Sequence, residues 1–261
     1  MELNIYQIDA FADQPFSGNP AAVCPLETWL DDALMQAIAA ENNLSETAFL
    51  VPQGTDYAIR WFTPVTEVDL CGHATLASAW VLFNRLGYQA DRVVFHSRSG
   101  PLTVARQGHG LMLDLPVDHP QPVAKPDLPD MDVCIVDCLQ GSDFLLVFED
   151  AQAVTAYQPN LAALSLLPGR GVIITAADDH YDFVCRFFAP HCGIDEDPVT
   201  GSAFTQLVPY WAEKLGKNTL HARQVSARGG ETVARLQGNR VMLEGQAALY
   251  LEGRIFIPDA L

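Results

Sequence analysis

The chain has 261 residues, of which 49% are hydrophobic and 18% are charged, so it can bury a large core and is not a disordered protein. Lys and Arg number 15 against 32 Asp and Glu, and the formal net charge of -17 argues against nucleic-acid partners and anionic membranes. The six cysteines include no C-x-x-C pair and no zinc-site spacing. No signal peptide and no membrane-spanning apolar run is apparent, so we expect a cytoplasmic protein.

The first predicted elements are strands and one amphipathic helix. Residues 3–10 have the pattern of a strand, and a Gly-Asn-Pro turn follows them. Residues 31–41 show apolar positions at helical spacing and begin with two aspartates, which the helix dipole favours at that end. Residues 47–51 and 58–62 are further strand candidates.

Glu46 precedes the strand at 47–51 and has two interpretations. Perturbed carboxylates are uncommon, so its immediate surroundings taken alone favour a solvent-exposed side chain at a strand end. The alternative is an acid/base group, because the neighbours Leu44, Ala48 and Phe49 are apolar and burial makes a carboxylate a better proton acceptor.

A nearly all-apolar helix is predicted after Cys71, starting at Gly72 and His73 and running to about Leu86, with Gly87 as its stop. A helix that is apolar on every face is buried. Its first turn combines a thiol and an imidazole with backbone N–H groups that favour an anion. The structural alternative for His73 is a polar cap at a helix end. Three short strands separated by glycine turns follow, at residues 92–96, 102–106 and 111–115.

The second half of the chain repeats the first. The spacing from Gly72 to Gly201 equals the spacing from Thr103 to Thr232. The sequences around the two members of each pair are similar. A match of this length in one register predicts two copies of one unit. We expect the units to be residues 1–117 and 118–261, joined in the proline-rich stretch 116–129. A final strand at 249–257 would return to the first unit.

The repeat places a second helix start at Gly201 and Ser202, directly after the acidic run at 195–197. Pro209 should kink this helix or remove one of its hydrogen bonds. In a pseudo-twofold protein the two helix N-termini can face each other across a cleft, where each would stabilise an anion by about 0.3–1 kcal/mol. The pattern therefore predicts a small carboxylate as the ligand.

Six motifs, taken in chain order, carry a resemblance to a known family. They are F-S-G-N-P-A-A-V at 16–23, N-L-S-E-T-A-F at 43–49, F-T-P at 62–64, E-V-D-L-C-G-H-A-T at 67–75, S-R-S-G at 97–100 and D-E-D-P-V-T-G-S-A at 195–203. With them the sequence resembles the PhzF-like isomerases of phenazine biosynthesis, in the diaminopimelate epimerase and proline racemase superfamily. The resemblance implies an α+β, diaminopimelate epimerase-like fold of two pseudo-symmetric halves. Each half would be a β-barrel-like sheet wrapped around a central helix, with the active site between them.

The resemblance also implies roles for individual residues. Glu46 corresponds to the family's acid/base glutamate, which reverses the preference for an exposed side chain. His73, Asp197 and Ser202 correspond to residues that bind and orient the substrate and assist proton movement. The other residues expected at the substrate-binding site are Asn19, Gly72, Gly201, Cys71 and Thr200.

The pair Cys71 and Thr200 bears on the mechanism. Diaminopimelate epimerases and proline racemases use two cysteines, one before each helix glycine, whereas here the second position is a threonine whose hydroxyl is far too weakly acidic to act as a base. Symmetric racemisation by two thiols is therefore disfavoured. A Cys/Thr pair resembles superfamily members that dehydrate trans-3-hydroxyproline with a single thiol. A small buried residue is the structural alternative for Cys71.

The function predicted is an isomerase that moves a proton within a small carboxylic acid by acid/base catalysis in the cleft between the two halves, with Glu46 as the proton carrier. Two alternatives stay open: a thiol-based dehydratase or epimerase of a cyclic amino acid that uses Cys71, and a non-catalytic carboxylate-binding protein. We predict no cofactor and no metal, since the sequence has no glycine-rich nucleotide loop and no H-x-x-x-H pattern. Resemblance suggests a homodimer.

Overall fold

The computed structural model of the protein describes residues 1–126 and 133–257. Contacts divide the chain into unit 1, which is Met1–Asp114 with the segment from Glu244 onward, and unit 2, which is Leu115–Leu243. The helices are α1 (Asp32–Asn42), α2 (Gly72–Asn84), α3 (Ala151–Ala156), α4 (Leu161–Leu164) and α5 (Phe204–Leu215), with 3-10 turns at Pro190–Cys192 and Gly201–Ala203. The strands are β1 (Glu2–Ala10), β2 (Asn19–Pro25), β3 (Glu46–Gln53), β4 (Asp56–Phe62), β5 (Glu67–Val68), β6 (Arg92–Ser97), β7 (Gly100–Gln107), β8 (Gly110–Pro116), β9 (Gln121–Pro122), β10 (Ile135–Gln140), β11 (Phe144–Phe148), β12 (Val172–Ala176), β13 (Phe183–Ala189), β14 (Ile194–Asp197), β15 (Thr219–Gln224), β16 (Gly230–Gln237), β17 (Arg240–Gly245) and β18 (Ala247–Phe256).

Unit 1 is a mixed sheet that starts from β1. β1 pairs antiparallel with β2 on one side and with β18 on the other, so strand β18 from the end of the chain lies beside the first strand. β2 and β3 are parallel, and β4 is antiparallel to β3 and parallel to β6. Antiparallel pairings join β4 to β5, β6 to β7 and β7 to β8. The parallel pair β2 and β3 brings the starts of these two strands to the same edge.

Helix α2 is the central helix of unit 1. Eleven of its thirteen residues are buried, and it packs against β1, β2 and β3. The prediction of a helix apolar on every face is confirmed, since a helix surrounded by sheet leaves no face to solvent. It ends at Asn84, two residues before the predicted end at Leu86, because Arg85 leaves helical geometry. Gly87 then takes a φ of 68°, in the left-handed region that favours glycine, and supplies the predicted stop.

Unit 2 is a second mixed sheet. Antiparallel pairings join β9 to β10, β10 to β11, β12 to β13, β13 to β14 and β15 to β16. Parallel pairings join β11 to β12 and β13 to β15. Helix α5 packs against β15 and β16. The predicted linker at 116–129 lies partly outside the described residues, and within its described part Gln121–Pro122 pairs with β10.

Helix α5 differs from the predicted helix in its first turn. Gly201–Ala203 forms a 3-10 turn, and the α-helix begins at Phe204. Pro209 stands inside the helix and has no N–H to donate to the carbonyl of Thr205, four residues earlier. The backbone N–H of Asp118 donates to that carbonyl at 3.1 Å. The hydrogen bond that proline removes is thus replaced from outside the helix.

Both units contain the same arginine–glutamate clamp. In unit 1 the Arg60 guanidinium donates to Glu67 through Nε and Nη2, each at 2.7 Å, and lies 5.1 Å from the ring of Phe62. In unit 2 Arg186 donates to Glu196 in the same way, at 2.7 and 3.0 Å, and lies over the ring of Phe188. In each unit the clamp ties a central strand to the segment that leads into the buried helix, an arrangement that supports the repeat hypothesis.

No helix in residues 1–126 and 133–257 is both long enough and apolar enough to cross a membrane. The predicted strands before residue 116 are present, each extended by one to three residues at its ends. No element is predicted for most of residues 133–190, where the structure has β10 to β13 and the short helices α3 and α4.

Candidate functional site

Four polar side chains of unit 1 form the first group, which we call the His73 cluster: Asn19, Glu46, Cys71 and His73. Asn19 is the first residue of β2 and Glu46 the first residue of β3, and these strands are parallel neighbours. Cys71 is the N-cap of α2, and His73 is the second residue of that helix. All four are buried, with at most 8% of each residue exposed. The first residues of two strands and the start of one helix therefore position all four side chains of the cluster.

The imidazole of His73 connects the other three side chains. Its Nδ1 lies 3.1 Å from the amide nitrogen of Asn19 and 3.5 Å from the sulfur of Cys71. Its Nε2 lies 3.2 Å from Oε2 of Glu46. The contact with Glu46 is close but misaligned, so that among the described residues Nε2 has no acceptor with hydrogen-bond geometry. A small rotation, or a bound molecule, would give this nitrogen an acceptor.

Burial lowers the pKa of His73 to about 3, because the charged ring would lose its hydration. The ring is therefore neutral near pH 7, and its contact with Glu46 is not an ion pair. The Asn19 amide nitrogen can only donate, so Nδ1 accepts and the ring hydrogen is on Nε2. This is the nitrogen that faces Glu46, which makes the imidazole a hydrogen-bond donor on that side.

A strained loop places Asn19. Phe11 and Phe16 have φ values of 58° and 77°, in the left-handed region that side chains other than glycine rarely adopt. Gly18 has a φ of 64°, and a Cβ there would lie 2.1 Å from the carbonyl oxygen of Ala10, so no other residue fits. Such strain costs about 1–3 kcal/mol per residue and is concentrated at functional sites. The F-S-G-N motif is thus the sequence of a loop that fixes a buried asparagine.

The His73 cluster also contains atoms that ligate metals. Ligand atoms of Glu46, Cys71 and His73 all lie within 4.8 Å of one another. The imidazole, however, faces Cys71 with Nδ1 and Glu46 with Nε2, and a single ion can take only one of these nitrogens. The arrangement fits a proton-transfer site better than a three-ligand metal site.

In unit 2 a turn before α5 forms the second group, the Asp197 cluster, which consists of Asp197, Thr200, Ser202 and Gln224. The Thr200 hydroxyl donates to Oδ2 of Asp197 at 2.6 Å. The Gln224 amide nitrogen donates to the Asp197 carbonyl at 2.6 Å and to the Thr200 hydroxyl oxygen at 3.1 Å. Its amide oxygen accepts from the Thr200 N–H at 2.8 Å. Gln224 is fully buried, so this turn is held from inside the unit.

An arginine reaches the same turn from another direction. Arg170 contacts Asp143 through two nitrogens and donates from Nη2 to the Ser202 hydroxyl oxygen at 2.8 Å. Asp143 directly precedes β11 and Arg170 nearly adjoins β12, and these strands are parallel neighbours with Phe144 opposite Val172. The starts of two parallel strands therefore bring the charged pair together.

The structure gathers the predicted residues into two sets. Asn19, Glu46, Cys71, Gly72 and His73 are together in unit 1, and Asp197, Thr200, Gly201 and Ser202 are together in unit 2. Sequence reasoning missed Asp143, Arg170 and Gln224, which stand in no motif. The available signal was that Asp143 and Arg170 each stand just before an apolar strand. This signal is weak unless the pairing of the two strands is known.

Comparison with known proteins identifies the class. A crystal structure of a hydroxyproline epimerase from Agrobacterium vitis aligns with a TM-score of 0.68 over 99% of this chain and 94% of that chain, at 10% identity. A crystal structure of a PhzF-family protein from Enterococcus faecalis aligns with a TM-score of 0.92 and 46% identity, over 98% of this chain and 100% of that chain. The chain therefore has the fold of the PhzF-family protein, which the hydroxyproline epimerase shares, and the predicted diaminopimelate epimerase-like fold class is confirmed.

Within that class the family is also defined. Residues 8–253 match the family model described as phenazine biosynthesis-like protein (PhzC-PhzF). An uncharacterized isomerase of Pseudomonas aeruginosa is 52% identical over 259 residues, which cover 98% of this chain and 100% of the relative. The chain belongs to the phenazine biosynthesis-like family, and its activity is of the isomerase type.

Proposed function

We propose that the protein moves a proton within a small carboxylic acid and that Glu46 carries this proton. The observation that supports the proposal most directly is the pair Glu46 and His73, in which a carboxylate with 8% exposure lies 3.2 Å from the Nε2 of an imidazole. A general base must reach carbon-bound hydrogen in a place where water competes little, and burial supplies this.

The reaction also requires a hydrogen-bond donor for the negative charge that develops on the substrate, and the neutral His73 suits this requirement. Removal of a proton next to a carboxyl group develops negative charge on oxygen, and donors already in place stabilise it. With the hydrogen on Nε2, His73 offers such a donor beside Glu46. A protonated ring would bind the Glu46 carboxylate and weaken it as a base, so burial that keeps the ring neutral serves the reaction.

The Asp197 cluster has the role of binding and orienting the substrate. Backbone N–H groups at the start of a helix and the Ser202 hydroxyl are donors that suit a carboxylate. Asp197 is held in one orientation by Thr200 and Gln224, as an orienting group requires.

The thiol alternative rests on one contact, between the sulfur of Cys71 and Nδ1 of His73 at 3.5 Å. Cysteine bases are usually activated as a thiolate beside a protonated imidazole. Since burial lowers the pKa of His73 to about 3, this imidazolium is not present near pH 7. Glu46 is therefore the better-supported proton carrier.

Association into a homodimer is part of the proposal. Strand β18 exposes Tyr250, Leu251 and Phe256, with 49%, 42% and 79% of each residue accessible. Large apolar side chains on one strand suit contact with a second copy. Light scattering of the wild-type protein and of Phe256→Asp measures the mass directly, and a monomeric wild type rules the dimer out.

Glu46→Gln tests the proposed reaction. The protein is incubated in deuterated buffer with a panel of small unsaturated, hydroxy and amino acids, and deuterium incorporation is followed by NMR. We expect exchange into at least one acid, lowered about 10²–10⁴-fold by Glu46→Gln with little change in its binding. Glu213→Gln, on the exposed side of α5, is the matched control. Exchange that Glu46→Gln leaves undiminished rules out the role of Glu46, and a wild type inactive on every acid rules out the reaction.

A further inference from the structure

The charged pair of Arg170 and Asp143 stands outside every motif of the sequence, yet it touches the proposed substrate site. We propose that Arg170 is a positioning residue that makes the Ser202 hydroxyl a hydrogen-bond donor toward the substrate carboxylate. The inference rests on the proposed function in one respect, namely that Ser202 contacts a carboxylate. It adds the residue that determines how Ser202 does so.

Asp143 holds the guanidinium in place. Asp143 is fully buried, and a buried carboxylate needs a partner in good geometry. Arg170 supplies two hydrogen bonds, from Nε to Oδ1 at 3.2 Å and from Nη2 to Oδ2 at 2.5 Å. The guanidinium also lies 5.5 Å from the ring centre of Phe187. Because the two hydrogen bonds to Asp143 and the contact with the Phe187 ring both hold the guanidinium, it presents Nη2 to Ser202 in one orientation.

The direction of the Arg170–Ser202 hydrogen bond decides what Ser202 can do. A guanidinium only donates, so the Ser202 oxygen is the acceptor at 2.8 Å. Thr205 donates to the carbonyl of Ser202 and not to its hydroxyl. In the part of the chain that the structure describes, no acceptor is found for the Ser202 hydroxyl hydrogen. Because that hydrogen must point away from Arg170, Ser202 is ready to donate to an oxyanion.

The charges of the pair define how an anion would be held. The positive charge of Arg170 faces the negative charge of Asp143, so a bound carboxylate meets a polarised hydroxyl and not an uncompensated cation. Gln206, also fully buried, has its amide nitrogen 3.5 Å from Oδ2 of Asp143 and supports that carboxylate from α5. Lysine in place of Arg170 would keep the charge but lose the two-pronged contact.

A double-mutant cycle on ligand binding tests the inference without knowledge of the substrate. The probe is isobutyrate, with isobutyramide as its uncharged isostere, titrated while the amide resonances of Gly201 and Ser202 are followed by NMR. Arg170→Met alone would leave Asp143 buried without its partner, so it is combined with Asp143→Leu to replace the pair by apolar groups. This pair variant, Ser202→Ala and their combination are compared, together with Arg170→Lys. Lys217→Met, which removes an exposed ion pair with Asp182, is the matched control, and urea unfolding checks the stability of each variant.

We expect the wild type to bind isobutyrate more tightly than isobutyramide. The pair variant and Ser202→Ala should each weaken isobutyrate binding about tenfold, and their combination should bind no more weakly than Ser202→Ala alone. Arg170→Lys should fall between the wild type and the pair variant. Losses that add in the combination, equal binding of the amide, or no binding by the wild type would each overturn the inference. If the coupling is present but no acid exchanges deuterium, the isomerase proposal fails and the positioning role of Arg170 stands. If an acid exchanges deuterium but the coupling is absent, the positioning role fails and the isomerase proposal stands.

Discussion

Thr200 donates its hydroxyl hydrogen to the Asp197 carboxylate at 2.6 Å. The hydroxyl oxygen in turn accepts from Gln224, so both functions of the hydroxyl are used inside unit 2. A threonine in this position is therefore not a weak substitute for a catalytic thiol. Its hydrogen bond holds the Asp197 carboxylate in one orientation, whereas Cys71 lies beside the imidazole of His73.

The first prediction concerns this hydroxyl. Thr200→Ser keeps the donor and should retain deuterium exchange within about threefold, whereas Thr200→Val removes it and should lower exchange about tenfold, since hydrogen bonds to charged groups contribute about 1.5–3 kcal/mol. Exchange rates of both variants at saturating acid give the answer. Thr155→Val, which loses an exposed hydroxyl on α3, is the control. Equal activity of Thr200→Val and wild type would show that Asp197 needs no such orientation.

The second prediction separates the carboxylate mechanism from the thiol mechanism. Cys71→Ala removes the sulfur beside His73 but leaves Glu46 in place, so turnover should stay within about threefold of wild type if Glu46 carries the proton. The measurement is again solvent deuterium exchange, with Cys134→Ala, an exposed cysteine, as the control. Complete loss in Cys71→Ala alone would favour the thiol-based dehydratase or epimerase.

Local patterns predicted the parts of the molecule that are encoded locally. The buried helix α2 followed from an apolar run. The burial of Glu46 did not, since its immediate surroundings favoured an exposed side chain and only the family resemblance reversed that preference. Gln224 could not be found this way, because it meets Asp197 only through the parallel pairing of β13 with β15. Arg170 and Asp143 likewise meet through strand pairing, 27 residues apart in the chain. Contacts set by sheet register leave no signature in a single sequence.

The third prediction uses the arginine–glutamate clamps. The side chains of Arg60 and Glu67 are 17% and 14% exposed, so Arg60→Met should lower the free energy of unfolding by about 3 kcal/mol. Arg186→Met should cost more, because Arg186 also donates to two buried backbone carbonyls, those of Val154 and Tyr157.

Urea unfolding measures both clamp variants. The control is Asp32→Asn, which removes only the exposed partner of Arg60 and should have little effect. Clamp variants as stable as the control would mean that these ion pairs do not stabilise the two sheets.

The fourth prediction concerns pH. Burial lowers the pKa of His73 to about 3, while the same group titrates near 6.5 in the unfolded chain. Above pH 6.5 neither state binds the proton, so His73 adds no pH dependence there. Between about pH 6.5 and pH 3 only the unfolded chain binds it, and stability falls as the pH falls, by about 2 kcal/mol at pH 5.

Urea unfolding of the wild type and of His73→Gln at several pH values between 7 and 5 isolates this contribution. The difference in unfolding free energy between the two proteins should shift in favour of the variant as the pH falls, because glutamine does not titrate. A constant difference between wild type and His73→Gln would mean that His73 takes up a proton in the folded protein. The imidazolium would then be present beside both Cys71 and Glu46, and Nε2 would not belong to a neutral ring.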